Sequence, residues 1–409
     1  MKKLLLNTFA ISLFVTINQA APNNQALYER LLKLEQKLAD QEKLQNQIED
    51  LKNEILDLKE IQEEQIDENP VKSFTGGLTF GGYVDMEFHN RKGSNSKFDQ
   101  HRFIFDISAD LGEKVKFVSE LEFEHAASTG DIGMEQAYID YSFNEKAGFR
   151  VGQILIPMGR LNYLHDAPLL QLTERPKLLK EIVPSTWYDS GAGFFGEFGS
   201  EENPISYEVY LMNGMSDSKF NLDSGTGFRS LRRKGKSKTE NNNSKALTGR
   251  LGFTLSENTQ LGLSYYSANV GAYNAAKVLS GDRDMTMYGI DIERPINNKL
   301  DFQGEYIWGD VDLNIATGFN SYDFSGWYAQ LNYILDKNEK YRAILRLGAE
   351  DTAKGLDNKG DIEETVFGIN YRPNSNTVYK AEYHWEDSNV NTAAKANNDG
   401  FVFSVATYF

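Results

Sequence analysis

The sequence predicts an all-β transmembrane β-barrel of sixteen antiparallel strands, preceded by an N-terminal α-helical coiled coil. Three observations carry that expectation. From Gly76 to the C-terminus apolar residues recur at every second position, and their opposite face is rich in carboxylates. The alternating runs are about ten residues long, the length a tilted strand needs to cross a bilayer. Short connections alternate with long ones, as periplasmic turns alternate with outer loops in an outer-membrane barrel.

The chain begins with Met1-Lys2-Lys3 and an apolar stretch from Leu4 to Ile17 that is too short to span a membrane and remain there. Residues 1–21 therefore read as a secretory signal, with cleavage after Ala20 or Ala21. Residues 22–70 form a second unit. Positions 26–66 contain no Gly or Pro, and Leu31, Leu34, Leu38, Leu44, Ile48, Leu51, Ile55 and Leu58 follow steps of three and four around one register break. This heptad seam needs partner helices, so a trimer or dimer is expected. Asn69-Pro70 ends the helical pattern.

The barrel unit is placed at 71–409. Its first strand sets Leu78, Phe80, Val84, Met86 and Phe88 against Tyr83, Asp85, Glu87 and His89. The second sets Phe103, Phe105 and Ile107 against Arg102, Asp106 and Ser108, and the third sets Phe117, Leu121 and Phe123 against Lys116, Glu120, Glu122 and Glu124. Such carboxylate rows are costly in a dry core and cost little when their face lines water. Further strands are expected near 135–144, 147–154, 190–199, 204–213, 246–255, 258–268, 285–294, 299–309, 322–334, 340–350, 362–371 and 376–386. The last, at 399–409, alternates Phe401, Phe403, Val405 and Thr407 into a terminal Phe409. Tyr306, Trp308, Trp327, Tyr333, Tyr341, Tyr371, Tyr379, Tyr383 and Trp385 fall where aromatic girdles meet lipid headgroups.

Composition removes several classes of function. A net charge of −16 argues against a nucleic-acid partner. With no cysteine there is no disulfide framework and no thiolate chemistry. The five histidines, His89, His101, His125, His165 and His384, form no helical metal-binding pair, and no P-loop or nucleophile elbow is present. Neither an enzyme nor a cofactor is expected.

The stretch Arg102 to Glu197 contains Gly152-Gln153, Pro157-Met158-Gly159-Arg160, Pro168, Thr173 and Arg175-Pro176. In that stretch the chain resembles the phosphate-selective porin O/P superfamily and related trimeric porins, some of which carry an N-terminal coiled coil. The resemblance implies a homotrimeric sixteen-stranded channel in the outer membrane and does not give the solute. A barrel of this size leaves a water-filled lumen, so something must narrow it. The connection 155–189 is the candidate: four prolines stiffen it, and Leu161, Leu164, Leu169, Leu170, Leu172, Leu178, Leu179 and Ile182 make it too apolar for solvent. Folded inward, it would bring Arg160, Asp166, Glu174 and Arg175 to the constriction, facing wall residues Arg150, Arg342, Arg346, Glu120, Glu122 and Glu124. Opposed basic and acidic stripes on the wall would set up a transverse field. No unopposed arginine ladder of the phosphate-selective kind is seen. Basic residues concentrate instead in 214–245, where Arg229, Arg232, Arg233 and Lys234 suit a solvated loop that binds lipopolysaccharide or draws anions. The function expected is passive diffusion of ions and small hydrophilic solutes. The alternative is an envelope tether in which the barrel anchors the periplasmic segment 26–66 to peptidoglycan or another periplasmic component.

Overall fold

The computed structural model describes residues 77–125, 132–215, 228, 243–255, 258–271, 284–312, 321–354, 361–388 and 398–409, with scattered positions between 29 and 53. The chain divides into two units, Met1–Gly76 and Gly77–Phe409. The expected signal segment and most of the expected coiled coil lie outside the described residues. Those described in the first unit, among them Leu32 and Leu34, are helical and exposed.

The second unit is a closed antiparallel barrel of sixteen strands, each bonded to its sequence neighbours, with the last pairing the first. In order these are β1 (Leu78–Arg91), β2 (Lys97–Asp110), β3 (Val115–Glu124), β4 (Ile132–Asn144), β5 (Ala147–Leu155), β6 (Tyr188–Gly199), β7 (Pro204–Met212) and β8 (Ala246–Thr254). They continue as β9 (Gln260–Asn269), β10 (Asp284–Asn297), β11 (Leu300–Asp312), β12 (Ser321–Ile334), β13 (Tyr341–Asp351), β14 (Asp361–Tyr371), β15 (Thr377–Ser388) and β16 (Gly400–Tyr408). Closure leaves no free sheet edge, so every strand's backbone groups are satisfied within the wall, as the interior of a bilayer requires.

Four of the short turns share one device. Asn297 Oδ1 accepts from the N–H groups of Lys299 and Leu300 at 2.9 and 3.1 Å, and Asn374 Oδ1 does the same for Asn376 and Thr377 at 2.9 Å each. Asn144 and Asp336 cap their turns in the same way. A short side chain that closes its own turn fixes the register of the hairpin it joins.

The outer face is apolar, with Phe80, Leu263, Leu345, Leu347, Phe367, Ile369, Phe401 and Phe403 exposed to the surroundings. The aromatic residues expected at its margins stack laterally. Tyr341, Tyr371 and Tyr379 form a row with ring centroids 4.7 and 6.2 Å apart, and Tyr306 lies 5.1 Å from Trp308.

Four register shifts interrupt the strict alternation, two of them beside turns at Pro295–Asn297 and Ser142–Asn144, and the other two re-aim charged side chains. The β1–β2 register shifts between Asp85 and Met86, leaving His101 unpaired, and the β3–β4 register shifts between Glu120 and Leu121, leaving Glu135 unpaired. Parity alone would point both side chains outward. The extra residue turns His101 and Glu135 toward the interior.

Candidate functional site: the lumen and its inward loop

The connection between β5 and β6, residues 156–187, lies inside the barrel. Its apolar side chains meet an apolar patch on the inner wall: Leu178, Leu179, Ile182 and Val183 join Met285, Met287, Ile307, Val311 and Phe324 in one buried cluster. A short helical turn, α1 (Leu178–Glu181), presents the first two of these. Gly326 makes room on the wall, since a Cβ there would stand 2.9 Å from both Leu178 and Ile182. Gly159, at φ +70°, is needed where the loop bends past Glu305.

The remainder of the loop runs across charged wall. Irregular backbone at this depth must find hydrogen-bond partners, and charged side chains of the strands supply them. Glu305 accepts from the backbone N–H groups of Arg160 and Leu161 at 3.0 and 2.8 Å. Glu382 accepts from those of Thr173 and Glu174 at 2.6 and 3.0 Å, and Glu364 accepts from that of Lys177 at 3.1 Å. Cations hold the carbonyls. Lys380 donates to Ala167 and Leu172, Arg372 to Pro168 and Leu170, and Arg346 to Glu174.

This clasp decides where the expected site residues stand. Arg346 is 1% exposed beneath the loop, with Nε 3.4 Å from Glu364, while Arg342 on the same strand is half-buried. Arg175 turns into the loop itself, donating to Ser185 Oγ at 2.8 Å, Thr186 Oγ1 at 3.2 Å and the His165 carbonyl at 3.1 Å. Arg160 pairs with Glu293 and Gln260 on β10 and β9, so the two loop arginines do not converge. Glu174 bridges Arg91 and Lys180 at 2.8 and 2.9 Å. Burial alone would raise the Glu174 carboxyl, but Lys180 and Arg91 outweigh it and hold the group well below the usual carboxylate range. Asp166 accepts from Tyr408 at 2.9 Å.

On the wall, Arg150 makes a two-pronged pair with Asp140 at 2.7 and 2.9 Å and lies over the Tyr138 ring. Glu122 is bound by Arg102 at 3.0 Å, with Glu124 at 3.9 Å from the same group. Glu120 accepts from Gln136 at 2.6 Å. The expected acidic and basic stripes therefore do not face each other across open water along their length. The loop covers Glu120 and Arg346, and local ion pairs neutralise much of the rest. Lys245 apart, the basic cluster of 214–245 lies outside the described residues.

The sequence places His89 on the carboxylate face of β1 and gives the other four histidines no partner; in the structure each of the five meets a carboxylate. His89 and His101 each lie 2.6 Å from Glu87, His125 lies 2.9 Å from Asp99, and His384 lies 2.7 Å from Glu382. His165, in the loop, lies 3.0 Å from Glu135. Burial would lower its imidazole, but Glu135 and Glu120 outweigh this and push it up to about 10. Between β1–β3 and the loop lies a cavity of about 260 Å³, whose lining includes His89, His101, His125, Arg102, Glu124 and Lys180.

A closed sixteen-stranded barrel with one long loop folded into its lumen defines an outer-membrane porin barrel. The chain belongs to the family described as phosphate-selective porin O and P, which matches residues 77–408. An uncharacterized protein from Aquifex aeolicus (strain VF5) is 34% identical over 201 residues, 47% of this chain and 45% of that protein. The chain thus aligns with about half the length of that curated relative. Among solved structures, the outer membrane channel DcaP of Acinetobacter baumannii superposes with a TM-score of 0.56 at 11% identity, covering 81% of this chain and 97% of that one. The anion-selective porin from Comamonas acidovorans gives 0.53 at 11% identity, covering 81% and 99%. The trimer form of OmpT from Vibrio cholerae gives 0.53 at 12% identity, with the same coverage. At these identities the likeness is one of fold.

Proposed function

We propose that the protein is a porin that admits ions and small hydrophilic solutes by passive diffusion, through a barrel narrowed by residues 155–189. The observation that carries this reading is the loop held in the lumen by wall charges, with a charged cavity left beside it. A loop so anchored would narrow the bore.

The water-facing groups at the constriction are Arg160, Asp166, Glu174, Arg342, Glu124 and Lys180, while Arg175, Arg346, Arg150, Glu120 and Glu122 hold the constriction in shape. Because the remaining charges are of both signs and the chain is acidic, the pore is expected to show weak cation preference. Phosphate, suggested by the family's description, would have to bind among Arg102, Lys180 and the neighbouring histidines against Glu87 and Glu124. Trimers among the structural relatives support a homotrimer in the outer membrane. Residues 1–21 would serve as the export signal, and 26–66 would form a periplasmic coiled coil that joins protomers or touches the cell wall. The basic segment 214–245 would meet lipopolysaccharide. Among the described residues nothing favours the tether alternative.

The test is single-channel recording of the purified full chain under a KCl gradient, followed by phosphate competition. Openings in three steps with weak cation preference and no phosphate block are expected. Absence of conductance would refute the porin reading, and phosphate block would replace general diffusion with anion selection.

A further inference from the structure

His165 sits 2% exposed where the loop crosses β3 and β4. Its Nδ1 lies 3.0 Å from the Asn162 carbonyl, which can only accept, so this nitrogen carries a proton. Asn162 is itself fixed by the backbone of Ile156 and Trp187. The other nitrogen, Nε2, faces three carboxylates: Glu135 at 3.0 Å, Glu120 at 3.7 Å and Asp166 at 3.8 Å.

We infer that His165, Glu120, Glu135 and Asp166 form a binding site for a divalent transition-metal ion that clips the constriction loop to the barrel wall. Four features point to it. Donors bound to one tetrahedral zinc ion at 2.0–2.1 Å stand about 3.3 Å apart, and the separations from Nε2 bracket that value. The donor atoms of His165, Glu120 and Glu135 all lie within 4.8 Å of one another. Glu120 is 95% buried, and its Oε1, on the side of His165, has no hydrogen-bond partner. The outer contacts are those a metal site uses, with a backbone carbonyl orienting the histidine and the Gln136 amide orienting Glu120.

Charge favours the same occupant. A neutral imidazole with three carboxylates carries three negative charges, and the neighbouring arginines are engaged elsewhere, Arg102 with Glu122 and Arg175 with the loop. A proton on Nε2 offsets one charge, whereas a divalent ion offsets two. The histidine selects the zinc-like metals over calcium or magnesium, which prefer oxygen alone. Asp166, a quarter exposed, gives the site its opening to the lumen.

The experiment measures zinc binding to the purified full chain in detergent, by calorimetry and metal analysis, after chelator treatment. Barrel closure of each variant is checked by heat-modifiable gel mobility. About one zinc per chain is expected, weakened at least about tenfold in His165→Gln and in Glu120→Gln. Gln136→Leu removes no ligand and is expected to weaken binding about 10- to 100-fold through loss of orientation alone. Wild-type protein that takes up no zinc at micromolar concentrations would overturn the proposal and leave a protonated His165 in place. Binding that survives His165→Gln, or that is lost in His101→Gln instead, would overturn it as well, placing the metal at Asp85, Glu87 and His101.

Discussion

A charged residue inside a porin is easily taken for part of the ion path, but Glu382 shows a different use. Its carboxylate is spent on two backbone N–H groups of the loop and on His384. Truncation in Glu382→Ala leaves two buried donors without acceptors, at a cost of at least about 2 kcal/mol. Denaturant unfolding is expected to show that loss, with noisier channel openings; unchanged stability would mean that the clasp contributes nothing. Alternation along β13 and β15 puts Arg346, Lys380 and Glu382 on the inner face of the wall, because parity reports direction. It could not say what each would bind, since the partners lie about 170 to 210 positions away in the loop. His101 and Glu135 were missed for a sharper reason, a bulge that reverses parity for one residue. The available signal was energetic: strict alternation would set an imidazole and a carboxylate on the lipid face, which is costly enough to imply a bulge.

At the scale of the element, the loop 156–187 has two halves held by different physics. The α1 half is fastened chiefly by apolar burial, and the preceding half adds charged clasps to the burial of Ile156, Met158 and Leu172. Proline content and apolar residues made its inward course legible in the sequence. The apolar patch that receives it, Met285, Met287, Ile307, Val311 and Phe324, was not legible. Strands with apolar residues on both faces look the same whether they meet lipid or a loop. The charged half should respond to acid. Because the Glu174 carboxyl is held below its ordinary value in the folded state, its contribution is present above the unfolded value, about 4.3, and is lost as pH falls. Thermal unfolding across pH 3–7 is expected to show a steeper acid loss in wild type than in Glu174→Gln. Parallel profiles would exclude the Arg91–Glu174–Lys180 bridge as the acid-sensitive fastening.

Across the whole molecule, strand number, order and nearly all strand limits followed from a period of two and from the alternation of turn lengths. Both are imposed by the bilayer outside and water inside. Most of the N-terminal heptad positions lie outside the described residues, and the coiled coil stays an expectation. What the barrel alone does not determine is its bore, which depends on where one loop lies. The absence of cysteine makes that position directly measurable. Thr173 Oγ1 in the loop lies 2.8 Å from Ser404 Oγ on β16. In Thr173→Cys/Ser404→Cys, mild oxidation of the assembled protein should consume both thiols while single-channel conductance stays at the wild-type level, because the cross-link only fixes a contact already made. Two thiols that remain reactive under oxidation would place the loop away from the wall and contradict the account.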